Sequence, residues 1–181
     1  LRYVAAGLLA TLLIFTELFL DIQLTGEQVN AIALISISIL LYNLLIHFLR
    51  KKIKLKPQHF NPMHLSLLQM GLDLTALLIL TYYTGSIESP FYLFFVFHMI
   101  IGSLILPGII VYFIAAIVCL ALITIVALEY MEIMSHHFVH GFLSVPLYND
   151  IHYVTFFLAF FCLTLFVVVL LTNNIARELY K

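Results

Sequence analysis

Two apolar segments joined by a polar hinge decide the fold of this chain. Residues 73–101 read DLTALLILTYYTGSIESPFYLFFVFHMII, with the hinge running from Thr84 to Phe91. Asp73 and His98 are the ionisable residues set deepest in the two flanking segments. Because an ionisable group inside a membrane span is costly, each is a candidate functional residue that needs a partner. We consider the two as candidate partners of each other.

The whole chain has the composition of a membrane protein. Of its 181 residues, 64% are hydrophobic and 9% are charged, which leaves too few polar residues to cover a water-soluble globule. Six stretches are long enough, or nearly so, to cross a hydrocarbon core of about 30 Å at about 1.5 Å per helical residue. They lie near residues 1–20, 28–49, 63–84, 91–106, 108–129 and 151–173. We therefore predict an all-α membrane protein that forms a six-helix transmembrane bundle.

The fourth stretch, residues 91–106, is short for a membrane span. This length predicts either that Ser89, Pro90 and Phe91 dip into the membrane or that the helix stands upright. The turn that follows is only Leu106-Pro107-Gly108, so spans four and five must be antiparallel neighbours. The hinge pairs spans three and four in the same way, so spans three to five form a connected unit.

The basic residues predict the orientation of the bundle. All eight Lys and Arg lie in three places: Arg2; the run Arg50, Lys51, Lys52, Lys54 and Lys56; and the tail with Arg177 and Lys181. With six spans these places share one side, which the positive-inside rule makes cytoplasmic. Both termini are therefore predicted to be cytoplasmic. The opposite loops carry only acidic charges, at Asp21, Glu27, Glu88, Glu132 and Asp150.

Residues 1–173 are predicted to form one transmembrane domain, and residues 174–181 the start of a cytoplasmic helix. Ile175 and Leu179 lie four residues apart with good helix formers between them, so the last span is expected to continue as a helix. This segment has no Gly cap and no Pro to end it. An unterminated helix favours a chain that continues further; a native terminus that frays is the alternative.

A polar site is expected in the outer half of the bundle. Asp73 and His98 differ in predicted depth by only about 6 Å, which allows a direct hydrogen bond, a bridging water or a shared ligand. A structural hydrogen bond that fixes the helix register is the alternative. Glu17, Glu129 and His152 lie at the same level on three other spans, with ordinary interfacial residues as the alternative for each. The hinge adds hydroxyl groups and exposed backbone to the candidate site, at Thr84, Gly85, Ser86, Ser89 and Pro90.

Aromatic residues follow the hinge, at Phe91, Tyr92, Phe94, Phe95 and Phe97. Around a cavity they would form flat apolar walls that suit a planar, partly polar, lipid-soluble ligand such as a quinone. Irregular backbone at membrane depth is tolerated only where it is buried in protein or lines a cavity, which favours such a site at the hinge. The alternative is that most of these phenylalanines face lipid.

Two groups of histidines are candidate metal or haem ligands. His136, His137 and His140 form an HHxxH arrangement, in which a helix would place His136 and His140 on one face to bind Zn, Cu, Ni or Fe. A solvated histidine-rich loop is the alternative. His47 closes span two and His64 opens span three at a similar depth, which is how helical bundles ligate b-type haem. Interfacial histidines beside the basic run are the alternative there.

The hinge resembles the six-span sensing region of bacterial sensor histidine kinases, including the RegB/PrrB redox-responsive type. The family pattern is approximately Asp, followed by Tyr-x-Thr-Gly-Gly-x-x-Asn-Pro-Phe; here Ser86 replaces the second Gly and Ser89 the Asn. In the RegB/PrrB type this segment is associated with ubiquinone sensing. The resemblance is carried by Asp73-Leu74-Thr75, Tyr82 to Phe91, Phe97 to Ile101, Leu128-Glu129-Tyr130, His136-His137 and Ile175 to Leu179.

This resemblance implies a membrane-embedded sensory domain of a histidine kinase in the bacterial inner membrane. A quinone, redox group or other ligand at the outer half would bias spans three to six, and span six would pass the change inward. The exit helix would lead to a dimerising hairpin with the phosphorylated His and to an ATP-binding domain. The implied partners are a second copy of the chain and a response regulator.

The sequence itself contains no ATP site, no acceptor motif and no soluble catalytic domain, so these residues are expected to be non-catalytic. No nucleic-acid partner is expected. Two other functions stay open: a b-type haem protein of the membrane, and a small transporter. A transporter needs a continuous polar path, whereas the inner halves of spans four to six are nearly all apolar.

Overall fold

The computed structural model describes residues 11, 23–55, 62–141, 143 and 145–179. The predicted first span, with Glu17, lies outside the described residues. The described regular elements are α1 (Gly26–Leu55), α2 (Pro62–Tyr83), a short 3-10 helix (Ser86–Glu88), α3 (Tyr92–Ile105), α4 (Gly108–Tyr130) and α5 (Ile151–Leu179). Within these ranges the only β pairing consists of isolated bridges of His140 with Gln23 and Leu143. The described fold is therefore all-α, as predicted.

Four of the helices, α1, α2, α4 and α5, are long and apolar enough to cross a membrane, and α3 is a shorter apolar helix. These five helices correspond to predicted spans two to six. The largest difference lies at the end of α1, which extends six residues beyond the predicted limit of residue 49. α5 runs without a break to Leu179, as predicted for the last span.

Side-chain caps explain where two of the helices begin. Thr25 and Gln28 form a reciprocal capping box: the Thr25 N–H donates to Gln28 Oε1 at 2.8 Å, and the Gln28 N–H donates to Thr25 Oγ1 at 3.3 Å. Asp150 Oδ1 accepts from the N–H groups of His152 (3.0 Å) and Tyr153 (3.2 Å) at the start of α5. Both caps lie at the same end of the bundle.

The hinge is folded into the bundle beside the short helix α3. With 14 residues, α3 is about 21 Å long, less than the hydrocarbon core of about 30 Å. The residues between α2 and α3 are buried from Thr84 to Ser89, as is Phe91, and only Pro90 among them is exposed. Protein therefore surrounds this irregular backbone, which is the condition for such backbone near a membrane.

The core of the bundle lies between α3, α4 and α5. α5 packs against both α3 and α4, whereas α1 packs against α2, which in turn packs against α3. Six apolar side chains on the three central helices have no exposed surface: Phe95, Met99, Val111, Ala115, Leu165 and Val169. The opposite faces expose large apolar residues such as Leu93, Phe113 and Phe156, as expected of helices that face lipid.

Hydrogen bonds tie α1 to α2 along their length. The Tyr42 hydroxyl donates to Asp73 Oδ1 at 2.6 Å. One turn before Asp73 on α2, Gln69 makes two bonds with α1. Its Oε1 accepts from Arg50 Nη2 at 2.6 Å, and its Nε2 donates to Asn43 Oδ1 at 3.2 Å. Polar side chains in apolar helices act as interhelical links, so these bonds fix the register of α1 on α2.

Replacing Phe95 by Ala should lower the free energy of unfolding by about 3 kcal/mol, because it leaves a cavity between α3 and α5. The matched control is Phe94→Ala on the same helix, where the side chain is 47% exposed and the Phe95 side chain 0%. The control should change the free energy by only about 0.5 kcal/mol. Thermal unfolding in detergent measures both, and equal losses would contradict the packing described.

Candidate functional site

The two ends of the bundle differ in their connections. The hinge (residues 84–91) and the long loop between α4 and α5 (residues 131–150) lie at one end, called here the hinge end. The turn at Leu106 to Gly108 and the last turns of α5 lie at the other end, called the exit end. The hinge end carries a buried charged cluster.

Three ionisable side chains from three segments meet in this cluster. His136, from the loop, lies between Glu88 of the hinge and Glu129 of α4: its Nε2 is 3.5 Å from Glu88 Oε2, and its Nδ1 is 3.4 Å from Glu129 Oε1. The side chains of His136, Glu88 and Glu129 are 6%, 3% and 0% exposed. We call these three residues the charged cluster.

The electrostatics of the charged cluster favour a protonated histidine. Burial opposes the imidazolium, but interactions with Glu129 and Glu88 outweigh burial and raise the pKa of His136 from 6.5 to about 9. The imidazolium therefore persists at neutral pH and offsets part of the charge of the two carboxylates. Losing this one cation would leave two like charges buried together.

The charged cluster is only partly satisfied by hydrogen bonds. Both carboxylate oxygens of Glu129 and both ring nitrogens of His136 lack a hydrogen-bond partner among the described residues. Glu88 is better held, because its Oε1 accepts from the N–H of Leu147 in the loop. A buried polar network with unsatisfied members is costly, and such a network is a place where a small change in geometry or charge has a large effect.

The hinge owes its shape to its own hydroxyl groups and to left-handed backbone. Thr84 Oγ1 donates to Leu80 O at 2.7 Å and lies 2.7 Å from Ser89 Oγ, which accepts from the Phe91 N–H at 3.3 Å. Gly85 has φ 102° and Ser86 has φ 48°. Ser86 stands where the resembled pattern has its second Gly, in a conformation that glycine adopts most readily. These bonds place Glu88 toward His136.

The beginning of the long loop is fastened to α1 and α2. Gln28, which is fully buried, donates from Nε2 to Tyr83 O and to His137 O, both at 3.1 Å. The Tyr82 hydroxyl donates to Ser135 O at 3.0 Å. The His137 ring packs at 4.6 Å from the Tyr82 ring and 4.7 Å from the Tyr83 ring, measured between centroids. These contacts hold the loop over the charged cluster.

The charged cluster also contacts the start of α5. The ring of His136 stacks on the ring of Tyr148, with centroids 4.0 Å apart and planes at 18°. Tyr148 precedes the helix cap Asp150 by two residues. His136 therefore lies close to the first turn of α5, the helix that leads to the exit end. A movement of His136 would act on this turn through Tyr148.

An aromatic groove of about 380 Å³ lies between α3 and α5 on the surface of the bundle. The Tyr92 ring makes edge contacts with Phe157 (4.8 Å) and Phe161 (4.7 Å), and its hydroxyl is buried without a hydrogen-bond partner among the described residues. The rest of the lining is Leu93, Val96, Tyr153, Phe156, Phe160 and Thr164.

Asp73 and His98, considered as candidate partners, have different hydrogen-bond partners. Asp73 accepts from the Tyr42 hydroxyl on α1, and His98 Nδ1 lies 2.7 Å from the carbonyl oxygen of Phe94 on its own helix. Both side chains are only partly buried. Asp73 is thus linked to α1 through Tyr42, a contact that the sequence did not predict.

The histidines of the HHxxH arrangement do not share a helical face, because residues 131–140 are not helical. His136 lies in the charged cluster, His137 packs on the two tyrosines of α2, and the His140 ring packs against Phe138 at 5.0 Å. Among the described residues, no group of three or more His, Cys, Asp or Glu has the arrangement of a metal site.

The candidate haem ligands His47 and His64 are both exposed on the bundle surface. The polar contacts between α1 and α2 at that end are made instead by Arg50, Gln69 and Asn43. His152, also considered for the outer polar site, is exposed at the first turn of α5.

Sequence reasoning identified Glu129 and His136 as candidates in different sites, named Tyr92 only as one of several aromatic residues around a possible cavity, and did not select Glu88 or Gln28. One signal for Gln28 was present, since Thr25-Gly26-Glu27-Gln28 has the spacing of a capping box. Glu88 carried a weaker signal, as the one acidic residue in a hinge otherwise made of small, hydroxyl-bearing and apolar residues.

The comparisons with known proteins agree with the architecture. The family model described as the PilS-like transmembrane domain matches residues 3–181. No curated protein and no solved structure gives a significant match to the chain. The match confirms the resemblance to six-span sensor-kinase regions and a multi-pass location in the bacterial inner membrane. The chain therefore belongs to the PilS-like transmembrane domain family, whose members are six-span input domains of sensor kinases.

Proposed function

We propose that this domain senses a stimulus at its hinge end and passes it through α5 to a histidine kinase region. The observation that carries the proposal is the charged cluster, in which one buried cation joins the hinge, the end of α4 and the long loop. Among the described residues, no other contact joins these three segments through buried charged side chains. Termini in the cytoplasm, a homodimer and a response regulator partner complete the proposal.

The charged cluster supports two distinct states of the hinge end. With His136 in place, each carboxylate has a cation at 3.4 to 3.5 Å. Separating His136 from either glutamate leaves a buried charge without compensation, so intermediate positions are costly. A ligand, proton or redox change that competes for one of these groups would thus move the loop between a closed and an opened arrangement, as differential affinity requires.

α5 provides the route to the exit end. It has 29 residues in one unbroken helix, about 43 Å long, and it packs against α3 and α4. Its start is fixed by the Asp150 cap and lies next to Tyr148, which stacks on His136. A shift of the loop would therefore move α5 as a rigid element and carry the change to whatever follows Leu179.

The basic residues support the proposed orientation. Arg50 and Lys51 near the end of α1 and Arg177 in the last turn of α5 all belong to the exit end. The hinge and the long loop contain no Lys or Arg in the sequence. The exit end then faces the cytoplasm by the positive-inside rule, where a kinase region and its response regulator would be.

The proposed ligand is a planar, lipid-soluble molecule such as a quinone, and the aromatic groove at Tyr92 suits it better than the hinge does. The hinge hydroxyls of Thr84 and Ser89 are already hydrogen-bonded, whereas the Tyr92 hydroxyl is buried and available to donate to a ligand carbonyl. Large exposed apolar residues border the groove, so a molecule dissolved in the bilayer could enter it. Tyr92 is the first residue of α3, just after the hinge that carries Glu88, which connects the groove to the charged cluster.

Replacing His136 by Phe tests the role of the charged cluster. In a chimera that joins the chain after Leu179 to the dimerisation and catalytic region of a histidine kinase, autophosphorylation in proteoliposomes should change at least about five-fold, because a loss of 1 to 2 kcal/mol shifts a two-state equilibrium by that much. Phe keeps the stacking on Tyr148 and removes the charge. The control His140→Phe changes an exposed ring of the same loop and should leave the rate unaltered. A correctly folded His136→Phe chimera with the parental rate would contradict the proposal.

The raised pKa of His136 predicts a pH dependence of stability. Because the pKa is about 9 in the folded protein against 6.5 for an ordinary histidine, the stabilisation is complete below about pH 6.5 and is lost as the pH rises through about 9. Solvent screening keeps this stabilisation below about 3 kcal/mol, the value that about 1.4 kcal/mol per pKa unit would give. Melting temperatures in detergent should therefore fall between about pH 7 and pH 10, more for the parental protein than for His136→Phe. Parallel curves for the two proteins would argue against a protonated His136.

Replacing Tyr92 by Phe tests the ligand separately. One lost hydrogen bond should weaken binding of a ubiquinone analogue about five-fold, for about 1 kcal/mol. Photolabelling with an azidoquinone in proteoliposomes should give adducts on α3 and α5. The control Tyr130→Phe makes the same change at an exposed position and should bind like the parental protein. Equal labelling of Tyr92→Phe and Tyr130→Phe would refute the quinone site, and so would an absence of labelling in the parental protein. Either result leaves the test on His136 valid.

A further inference from the structure

A second cavity lies at the exit end, between the turn that joins α3 to α4 and the last turns of α5. Its volume is about 410 Å³, within the usual range of ligand sites. The lining combines the end of α3, the turn and one face of α5: Ser103, Leu104, Ile105, Leu106, Gly108, Asn173, Ala176 and Arg177. None of these residues belongs to the charged cluster or to the aromatic groove.

Two polar side chains in this lining have no hydrogen-bond partner among the described residues. They are Asn173, whose side-chain Nδ2 is unpaired at 7% residue exposure, and Ser103, whose Oγ is unpaired at 4%. A buried donor without an acceptor is unfavourable, because it has lost its hydrogen bonds to water. Both groups therefore favour a ligand that brings acceptor atoms into the cavity.

Asn173 is positioned by a close approach of α5 to the start of α4. A Cβ atom added to Gly108 would lie 2.9 Å from Asn173 Nδ2 and 3.0 Å from its Cγ. Any larger residue at position 108 would displace the amide from this position. The amide is thereby held beside the first turn of α4, where the N–H groups of Ile110 and Val111 donate to Pro107 O and those of Gly108 and Ile109 have no acceptor within the helix.

The charge in and around the cavity favours an anion. The N-terminus of the 23-residue helix α4 carries the positive end of its dipole. Arg177 lies one turn beyond Asn173 on the same face of α5, and its guanidinium is always charged. Glu178 is exposed next to Arg177 but does not line the cavity. Amide, hydroxyl, helix N-terminus and guanidinium are together the donor set that recognises phosphate oxygens.

The surroundings indicate a phosphate that is attached to a lipid. The cavity lies at the end of helices that are long and apolar enough to cross a membrane, where lipid headgroups are expected, and Leu104 and Ile105 in its lining are also exposed on the apolar outer surface. The last carbonyl groups of α3, which lack partners within the helix, can accept from headgroup hydroxyls. Basic pockets between membrane helices are known to hold such headgroups.

We propose that this cavity binds the phosphodiester headgroup of an anionic phospholipid, such as phosphatidylglycerol. Free phosphate shares the same recognition chemistry but lacks the acyl chains that would lie along Leu104 and Ile105. A bound headgroup would bridge the α3–α4 turn and α5 just before α5 leaves the bundle. The lipid composition of the membrane would thus adjust the position of the exit helix, whether or not the proposed kinase output is correct.

The test is lipid retention by the intact chain, measured by native mass spectrometry after exchange into mixed micelles of detergent with phosphatidylglycerol or phosphatidylcholine. The parental protein should retain one phosphatidylglycerol at least about five-fold more than phosphatidylcholine, from about 1 kcal/mol per favourable charge contact near the surface. Inorganic phosphate should compete only weakly. Strong competition by inorganic phosphate would show a site for free phosphate and overturn the lipid proposal.

Two variants locate the site. Asn173→Leu removes the unpaired amide, and Arg177→Gln removes the charge; each should lower retention about five-fold or more, for about 1 kcal/mol. The matched control is Asn174→Leu, which makes the first change at the next, exposed position of α5 and should retain lipid like the parental protein. Arg177→Gln alters an exposed side chain and should fold normally, so it keeps the test valid if Asn173→Leu does not fold. Equal retention by Arg177→Gln and the parental protein would refute the site.

Discussion

One cation shared by two buried carboxylates is the constraint on which the hinge end depends. His136 can lie between Glu88 and Glu129 only if the hinge, the end of α4 and the long loop are all in place, so one interaction fixes three segments. Removing the cation would leave two like charges in a site of low polarity, where such charges are very unfavourable. Two local features allow this arrangement. They are the left-handed backbone of the hinge and the bonds from Gln28 to the loop.

The helices were predictable because their signals are local. Apolar length identified spans two to six, and the helix formers around Ile175 and Leu179 indicated that the last span continues as a helix. The proposed pairing of Asp73 with His98 shows that local signals do not predict which side chains meet between helices. Depth in a span follows from the rise per residue, but the direction in which a side chain points depends on the rotation of each helix, which packing decides. Asp73 faces Tyr42 on α1, and His98 bonds to its own helix.

The charged cluster was not predictable as a unit, because its members come from a hinge, a helix end and a loop far apart in the sequence. The spacing of His136 and His140 indicates a shared face only on a helix, and the loop between α4 and α5 does not form one there. Membership in the PilS-like transmembrane domain family supplies the signalling context, while the contacts of this chain supply the candidate mechanism. The aromatic groove and the exit-end cavity then lie on α5 on either side of its middle, so both can act on the same helix.

The central claim is that the charged cluster controls the position of α5 at the exit end. Electron paramagnetic resonance measures this directly, with spin labels at the exposed positions Phe48 on α1 and Leu179 on α5 in a chain whose Cys119 and Cys162 are replaced by Ala. In proteoliposomes, His136→Phe should shift the distribution of distances between the two labels relative to the labelled parental protein, while His140→Phe should not. Superimposable distributions for His136→Phe and the parental protein would contradict the account.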